Sequence, residues 1–367
     1  MLTRLFIDNY RCFVNFEYKP LPKQLILGSN GAGKSSLVDA LLLIRQFVTK
    51  GDAFSDLFMP TQRTRWLSRP QMTFELEAAL EGGNYTYDLV LEPAVDSLKT
   101  RVSKEIVRFD GKPVFEFISG EVRLYNDRFE HKVSYDFDWQ RPALATITPR
   151  HDNQVLTRFK TWVSNLFCFR LNPFAMSARA ESEQLYANLD LSNFASWYRH
   201  LVQADPKSNA ALLSNLSESL ADFDVMQFEV AGENVRLLVV GFKSGVGSKK
   251  FFLNELSDGQ RCLICLYTIL SFLVSRGCTV LIDEPENFIS LREIQPWLMA
   301  ISDAVDAHNG QIFLISHHPE IINQWAPVSG VEFIRQDDDS VRAMPFAADL
   351  QACLPPAELI ARGWHNE

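Results

Sequence analysis

Residues 28–36 have the types and spacing that phosphate binding requires. They read Gly-Ser-Asn-Gly-Ala-Gly-Lys-Ser-Ser and fit the pattern G-x-x-x-x-G-K-[ST]. The glycines let backbone N–H groups surround an anion at the positive end of the helix that follows. Lys34 would reach the β- and γ-phosphates, and the Ser35 hydroxyl would ligate Mg²⁺. We predict that a nucleoside triphosphate is bound by Gly28, Ser29, Asn30, Gly31, Ala32, Gly33, Lys34, Ser35 and Ser36.

The segments on either side predict the elements that must position this loop. Residues 24–27 are apolar and favour a strand, and residues 36–43 place apolar side chains at helical spacing. A glycine-rich turn that holds a lysine by chance would lack this setting. The strand–loop–helix context therefore favours a functional phosphate loop.

Two adjacent acids follow a second apolar segment, residues 279–282, which is typical of a strand buried in a parallel sheet. At the carboxyl end of that strand, Asp283 would hold Mg²⁺ through water. Glu284 would orient and deprotonate the attacking water. Paired acids are common on surface turns, but in a chain with a phosphate loop this position favours ATP hydrolysis.

Two further segments have residues suited to a γ-phosphate. Ser257 is predicted to cap a helix over residues 262–274, and the glycine-bearing turn before that helix would form a second anion-binding nest. Simple helix capping is the alternative interpretation of this turn. An apolar strand over residues 311–315 is followed by Ser316 and His317, and a histidine there can hydrogen-bond a γ-phosphate or the attacking water.

These motifs, together with the opening segment Leu-Phe-Ile-Asp-Asn-Tyr-Arg-Cys-Phe at residues 5–13, resemble the ATP-binding-cassette (ABC) superfamily. The branch that they resemble contains SMC proteins, RecF and the OLD-family ATPases. Within it, the chain is similar to compact bacterial AAA-type ATPases that accompany nucleases or other effectors in phage-defence operons, such as Septu- and retron-associated ATPases. The resemblance implies an α/β fold: a P-loop ABC-type ATPase head with a mostly parallel sheet, an antiparallel β-lobe, a helical signature subdomain and no long coiled coil.

The resemblance also implies how a complete ATP site is assembled. Ser257, Gly259 and Gln260 form the signature, and the signature of one subunit would close over the γ-phosphate of ATP held by another. This arrangement gives a head-to-tail homodimer or a higher oligomer. Glu284 and His317 would be the catalytic residues of each site.

The resemblance also has implications for other residues. Arg11, on the opening strand, would also reach the phosphates. Asp258 stands where relatives have a glycine, and it adds negative charge to the signature. Gln62 and Gln71 are both candidates for the glutamine that relatives place beside the metal.

The motifs predict three regions along the chain. Residues 1–80 would be the N-terminal part of the ATPase core, residues 81–250 an inserted β-lobe and helical region, and residues 251–367 the C-terminal part of the core. Nothing sustains three heptads, so no long coiled-coil arm is expected. Within the middle region, periodicity predicts a hairpin of 73–80 with 84–91, strands at 104–109, 113–118, 122–125, 132–137, 225–230 and 235–240, helices at 155–169, 191–203 and 210–221, and a flexible loop at 241–247.

Composition limits the partners. The net charge is −9, and the acidic excess lies in residues 181–367, which disfavours a general nucleic-acid coat. No apolar run reaches the roughly 18 residues of a membrane span, and no secretory signal is evident, so a soluble, cytoplasmic protein is expected. The cysteines are scattered, and Cys262 with Cys265 is interpreted as a pair of buried helix thiols rather than half of a zinc site.

The leading functional hypothesis is an ATPase regulatory subunit that controls a partner effector. No nuclease, Toprim or arm domain is recognisable in the chain, so the effector, a nuclease or toxin, would come from an adjacent gene in a bacterial antiphage-defence system. The alternative is a RecF-like DNA-binding repair ATPase, which leaves nucleic acid as a possible ligand. A transporter ATPase subunit is disfavoured by the opening strand and the large middle region, and no membrane partner is expected.

Overall fold

The computed structural model describes residues 1–51, 58–94, 99–245, 247–346 and 354–362. The chain divides into two compact units. The first unit contains Met1–Phe167 and Trp325–Cys353, and the second contains Cys168–Gln324 and Leu354–Arg362. The three-region division expected from the motifs stays a prediction.

Both units contain strands and helices. In the described residues the strands are β1 (Leu2–Asp8), β2 (Phe16–Tyr18), β3 (Lys23–Leu27), β4 (Met72–Leu80), β5 (Gly83–Pro93), β6 (Thr100–Phe109), β7 (Lys112–Ile118), β8 (Glu121–Tyr125), β9 (His131–Asp136), β10 (Leu166–Arg170), β11 (Arg179–Ala180), β12 (Phe223–Val230), β13 (Arg236–Ser244), β14 (Gly247–Phe252), β15 (Thr279–Asp283), β16 (Gln311–Ile315), β17 (Gly330–Arg335) and β18 (Val341–Pro345). The helices are α1 (Lys34–Thr49), α2 (Ala143–Thr146), α3 (Gln154–Ser164), α4 (Phe194–Ala204), α5 (Pro206–Ser219), α6 (Asp258–Phe272), α7 (Leu291–His308), α8 (Pro319–Ser329) and α9 (Pro356–Arg362).

An antiparallel sheet dominates the first unit. Its described strands lie in the order β2-β1-β4-β5-β6-β7-β8-β9. In β4, Met72, Phe74 and Leu76 are buried and the residues between them are partly exposed, which is the alternation of a sheet with one buried face. The hairpin of residues 73–80 with 84–91 and the four short strands predicted up to residue 137 are confirmed.

A smaller parallel arrangement in the same unit leads into the predicted phosphate loop. β3 pairs with β17 in parallel, and β17 pairs with β18 antiparallel. β3 is almost fully buried and ends at Leu27, one residue before the loop. Helix α1 then follows, with Leu37, Leu41 and Ile44 on its buried face. The core of the first unit thus fixes both ends of residues 28–33.

The predicted helix over residues 155–169 is wrong at its C-terminal end. Helix α3 ends at Ser164, and Leu166–Arg170 forms strand β10 instead. The run Leu-Phe-Cys-Phe has four consecutive buried side chains, so burial on all sides replaces the one-sided stripe of an amphipathic helix. A short apolar run of this kind does not distinguish a buried strand from a buried helix turn.

The second unit contains the parallel pair β15–β16 and an antiparallel sheet. In that sheet β13 lies between β11 and β12 along the described order, and β14 also pairs with β13. The predicted flexible loop at residues 241–247 is wrong, because β13 continues to Ser244 and β14 begins at Gly247. A Cβ at Gly241 would lie 2.8 Å from Val225 Cγ1 and 2.8 Å from Ser248 Oγ, so the glycine here allows close strand packing.

Helix α6 contains Cys262 and Cys265. Cys262 and Cys265 are fully buried, and burial raises the pKa of the Cys262 thiol to about 12 and that of Cys265 well above its usual range. The interpretation as buried helix thiols is therefore confirmed for this pair, while Cys353 lies outside the described residues. The longest helix among the described residues, α7, has 18 residues, which confirms the expectation of no long coiled coil there. Among the described residues, no helix combines the length and apolarity needed to cross a membrane.

Candidate functional site

The glycine-rich loop lies between the end of β3 and the start of α1. Gly33 is the residue before the helix and has a φ of 93°, in the left-handed region that favours glycine. Ser29, Asn30 and Gly31 at the tip are exposed. The Lys34 ammonium lies over the loop and donates to the backbone oxygens of Gly28 and Ser29, the latter at 3.0 Å. The structure thus brings the predicted lysine and the loop backbone together at a helix N-terminus.

Two glycines are required here because the backbone passes close to its neighbours. A Cβ at Gly33 would lie 2.9 Å from Cys12 Sγ and 3.0 Å from the Phe13 ring. A Cβ at Gly28 would lie 2.6 Å from the backbone oxygen of Phe333. The turn after β1 and strand β17 therefore hold the loop from two directions.

Arg11 belongs to that turn, and its guanidinium pairs with Asp39 of helix α1. The neighbouring Cys12 Sγ lies 3.7 Å from Ser36 Oγ, and burial raises the pKa of the Cys12 thiol. The opening segment is thus attached to the first turns of α1. The sequence did not signal the Arg11–Asp39 pair, and the expected contact of Arg11 with phosphates stays a prediction.

The two candidate glutamines make local contacts in the first unit. Gln62 Oε1 accepts from the backbone N–H of Met59 at 3.0 Å, and the backbone oxygen of Gln62 accepts from Arg11 at 2.7 Å. The Gln71 amide donates to Glu92 at 3.4 Å. Neither contact identifies a metal-directed glutamine, and both residues stay candidates.

In the second unit Asp283 ends strand β15. The residue is 8% exposed. Arg170, the last residue of β10, donates to Asp283 Oδ2 from both Nε at 2.8 Å and Nη2 at 2.6 Å. Sequence reasoning missed Arg170, because no motif at residue 170 points to a partner so far along the chain.

Glu284 has an unusual backbone conformation. Its φ is 53°, which non-glycine residues adopt rarely and which costs of order 1–3 kcal/mol unless the surroundings impose it. Its N–H donates to the Ile315 oxygen at the end of β16 at 2.8 Å, and its carboxylate accepts from the Asn287 amide at 2.7 Å. The left-handed backbone at Glu284 ends the extended conformation of β15, and its catalytic role stays a prediction.

Glu286 connects the acidic segment to the predicted histidine. Its Oε1 accepts from Ser316 Oγ at 2.7 Å and from the His317 backbone N–H at 3.3 Å. Its Oε2 is buried and has no hydrogen-bond partner. His317 itself is exposed, whereas Ser316 is fully buried. The structure therefore brings the acidic segment and the histidine loop together, through a residue to which sequence reasoning gave no role.

The predicted signature lies at the start of α6. Ser257 Oγ accepts from the Gln260 N–H, and Gln260 Oε1 accepts from the Ser257 N–H at 3.1 Å, so the capping expectation is confirmed. A Cβ at Gly259 would lie 2.7 Å from the Phe288 oxygen, so this turn touches the loop after the acids.

Asp258 is not an isolated charge within the signature. Its carboxylate pairs with Arg261 one turn along α6. The Arg261 guanidinium is largely buried and also donates to the Pro173 oxygen at 2.5 Å. The extra negative charge expected from Asp258 is therefore neutralised locally.

A comparison with protein families gives one match, and it covers most of the chain. A family profile described as "AAA domain, putative AbiEii toxin, Type IV TA system" matches residues 25–323. The chain belongs to this AAA domain family. The match runs from the strand before the phosphate loop to beyond the histidine loop, and it includes the regions between them.

The fold of this AAA domain is similar to that of one solved structure, and a second solved structure aligns more weakly. The Smc head domain of Pyrococcus furiosus, with an extended coiled coil and bound to the C-terminal domain of ScpA, aligns with a TM-score of 0.54 at 10% identity, over 94% of this chain and 96% of that one. The SMC head domain of Thermotoga maritima aligns with a TM-score of 0.48 at 12% identity, over 95% and 99%. No curated protein matches the chain at a significant level. The expected α/β ATPase-head fold is confirmed.

Each of the two units contains a predicted Mg²⁺ ligand of a suitable chemical type. The hydroxyl of Ser35 and the carboxylate of Asp283 are the hard oxygen donors that Mg²⁺ prefers. The buried, unpaired Oε2 of Glu286 can accept a hydrogen bond from a further group such as water. Within the described ranges no three His, Cys, Asp or Glu side chains form a metal cluster, and Mg²⁺ held mainly by phosphates and water needs none. When bound, Mg²⁺ would neutralise charge on the β- and γ-phosphates.

Alanine substitutions in the loop of this AAA domain should separate two effects. We expect Gly28→Ala to lower the free energy of unfolding by about 2–4 kcal/mol, because the methyl group meets the Phe333 backbone and φ is +140°. Gly31→Ala is the matched control, since its φ of +82° is also left-handed but no atom lies within 4 Å of the added carbon. It should cost only about 1–2 kcal/mol. Urea unfolding of both variants measures the difference, and equal losses would show that strand β17 does not constrain the loop.

Proposed function

We propose that this chain is an ATP-binding and ATP-hydrolysing regulatory subunit that controls a partner effector. The observation that carries the proposal is the hydrogen-bonded group formed by the acidic segment and the histidine loop. Glu284 is attached to the end of β16, and Glu286 holds the segment of Ser316 and His317. One hydrogen-bonded group thus contains the proposed base and the proposed γ-phosphate sensor.

Each residue has a defined role in this proposal. Residues 28–36 bind the phosphates of ATP, with Arg11 as an additional contact. Glu284 activates the attacking water, and His317 contacts the γ-phosphate or that water. Ser35 and Asp283 hold Mg²⁺, the latter through water. A left-handed, strained conformation at Glu284 supports its assignment, since such conformations are concentrated at functional sites.

We further propose that ATP is bound between two copies in a head-to-tail dimer. Ser257, Gly259 and Gln260 of one copy would contact the nucleotide of the other. Two aromatic side chains beside the signature support an interface here. Phe174 is 72% exposed and Phe288 is 48% exposed, and their rings pack edge to face with centroids 5.6 Å apart. Exposed aromatic residues are enriched at the centres of protein interfaces.

The effector is proposed to be a nuclease or toxin from an adjacent gene, in cytoplasmic antiphage defence. The Pyrococcus furiosus Smc head, which shares the fold, binds another protein, the C-terminal domain of ScpA. The net charge of −9 also suits a protein partner better than the phosphate backbone of DNA. ATP would then act as the switch that sets the affinity for the partner.

Copurification tests this assignment. The tagged chain, expressed together with its neighbouring genes, should copurify with one adjacent product and hydrolyse ATP slowly. The chain by itself should cut neither DNA nor RNA with Mg²⁺ or Mn²⁺. Cleavage by the isolated chain that persists in Lys34→Ala would contradict the regulatory role, because it would require a nuclease site of its own.

A RecF-like DNA-binding ATPase is the second candidate. The basic residues of strand β6 argue against it, because they pair with acids of the same sheet. Arg101 contacts Glu92 at 2.8 Å, while Arg108 and Lys104 contact Asp88 at 2.7 and 3.2 Å. A DNA gel shift that weakens steeply with salt would favour this second candidate, since phosphate contacts impose that dependence.

A further inference from the structure

The two side chains of the Arg170–Asp283 ion pair differ in their exposure to solvent. Both donors of the Arg170 fork meet one carboxylate oxygen, Oδ2. The Asp283 side chain is 10% exposed, whereas that of Arg170 is 46% exposed. A carboxylate held this deeply needs a cation beside it, because an unpaired buried charge is costly. The guanidinium, by contrast, can move into water at little cost.

The surroundings fix Asp283 and leave the Arg170 head group movable. Asp283 is the last residue of a fully buried strand that pairs in register with β16 up to Ile315. The backbone of Arg170 is held by a hydrogen bond from its N–H to the Leu189 oxygen at 2.7 Å. Its side chain extends from this fixed point to Asp283. An exchange of partners at Asp283 therefore requires only rotation of the arginine side chain.

We propose that Arg170 is an exchangeable counter-ion, and that it and the divalent cation of the nucleotide are alternative partners of Asp283. This inference rests on the proposed function, because it assumes that Asp283 faces the metal. When no metal and nucleotide are bound, the Arg170 guanidinium neutralises the charge of the Asp283 carboxylate and fixes its position. With the hydrated metal bound, Asp283 Oδ2 would accept a hydrogen bond from a metal-bound water, and the Arg170 guanidinium would turn to solvent. Arg170 would thus lower the affinity for metal and make its entry dependent on the nucleotide.

Metal binding measured without catalysis tests this competition. Mn²⁺ is the probe, and free Mn²⁺ is measured by electron paramagnetic resonance in titrations of the full chain with saturating ADP. Arg170→Gln removes the positive charge and should lower the half-saturating Mn²⁺ concentration roughly five- to tenfold. Arg170→Lys keeps the charge but has a single nitrogen in place of a planar fork, and it should lower the half-saturating Mn²⁺ concentration about twofold. Arg179→Gln is the matched control, since that arginine pairs with Glu181 on the surface of the same unit and should change nothing.

Thermal unfolding provides a second readout. Without metal or nucleotide, Arg170→Gln should melt at a lower temperature than wild type, because Asp283 loses its cation. Mn²⁺ with ADP should raise the melting temperature of the variant by more than that of wild type. An unchanged or higher half-saturating Mn²⁺ concentration in Arg170→Gln would overturn the proposal. If the Gln variant does not fold, the same result in Arg170→Lys would overturn it. If wild type binds ADP with Mn²⁺ but the variants have the same half-saturating Mn²⁺ concentration as wild type, only this inference is contradicted. Wild type that binds no nucleotide defeats the proposed function as well.

Discussion

Glu284→Gln should bind ATP as wild type does and hydrolyse it roughly 10²-fold or more slowly. The amide keeps the shape of the side chain and can still contact Asn287, but it cannot accept a proton from water. The backbone N–H of Glu284 donates to the Ile315 oxygen, and the substitution leaves this hydrogen bond intact, so it should leave the loop in place. Steady-state phosphate release measures turnover, and calorimetric titration with ATP measures binding.

Glu121→Gln is the control for this experiment. Glu121 is a surface carboxylate of strand β8 that pairs with Arg123, remote in sequence from every motif. Its replacement should leave both measurements unchanged. Turnover in Glu284→Gln equal to that of wild type would remove Glu284 from its assigned role and direct attention to Glu286, the other acid of the same segment.

The second large expected effect concerns ATP sites that are formed by two copies of the chain. Ser257→Arg should abolish ATP-driven association and most ATPase activity, because a long cation would replace the helix cap that, in the proposed dimer, faces the nucleotide of the other copy. Lys34→Ala should also be inactive, because it loses the phosphate contact. Mixed in equal amounts, the two inactive proteins should recover activity, since one of the two composite sites in each heterodimer would contain neither substitution.

Recovery is measured by phosphate release and by light scattering of the mixture with ATP. A mixture of Ser257→Arg with itself at the same total concentration is the control, and it should stay inactive. Folded variants that recover no activity at any ratio would count against head-to-tail sites. The exposed pair of Phe174 and Phe288 would then need another explanation.

Local patterns in the sequence predicted much of the fold. The hairpin after Met72, the cap at Ser257 and the strands that end at Leu27 and Asp283 each depend on neighbouring residues, and each is present. The errors have the same origin. Residues 166–170 are apolar enough for helix or strand, and only their full burial decides between them. Gly241 indicates a loop in isolation, but in the fold it lets adjacent strands approach.

The contacts that sequence reasoning missed are mostly between residues far apart in the chain. Arg170 and Asp283 are separated by 113 positions, and Glu286 and Ser316 by 30. No periodicity reports such pairs, because they depend on which strand ends meet in the folded protein. The pair of Asp258 and Arg261 is the exception, since a separation of three positions on a helix could have predicted it.

Calorimetric titration of the full chain with ATP and Mg²⁺, repeated with Lys34→Ala, tests the central claim most directly. The claim is that residues 28–36 bind the phosphates of ATP. Wild type should bind ATP with one site per chain, and Lys34→Ala should show a loss of affinity of roughly 10²-fold or complete loss, because a charge-assisted contact to the phosphates is removed. Arg45→Lys, a change within the same helix away from its N-terminus, should bind as wild type does. Binding in Lys34→Ala equal to that of wild type, or no binding in wild type, would contradict the account.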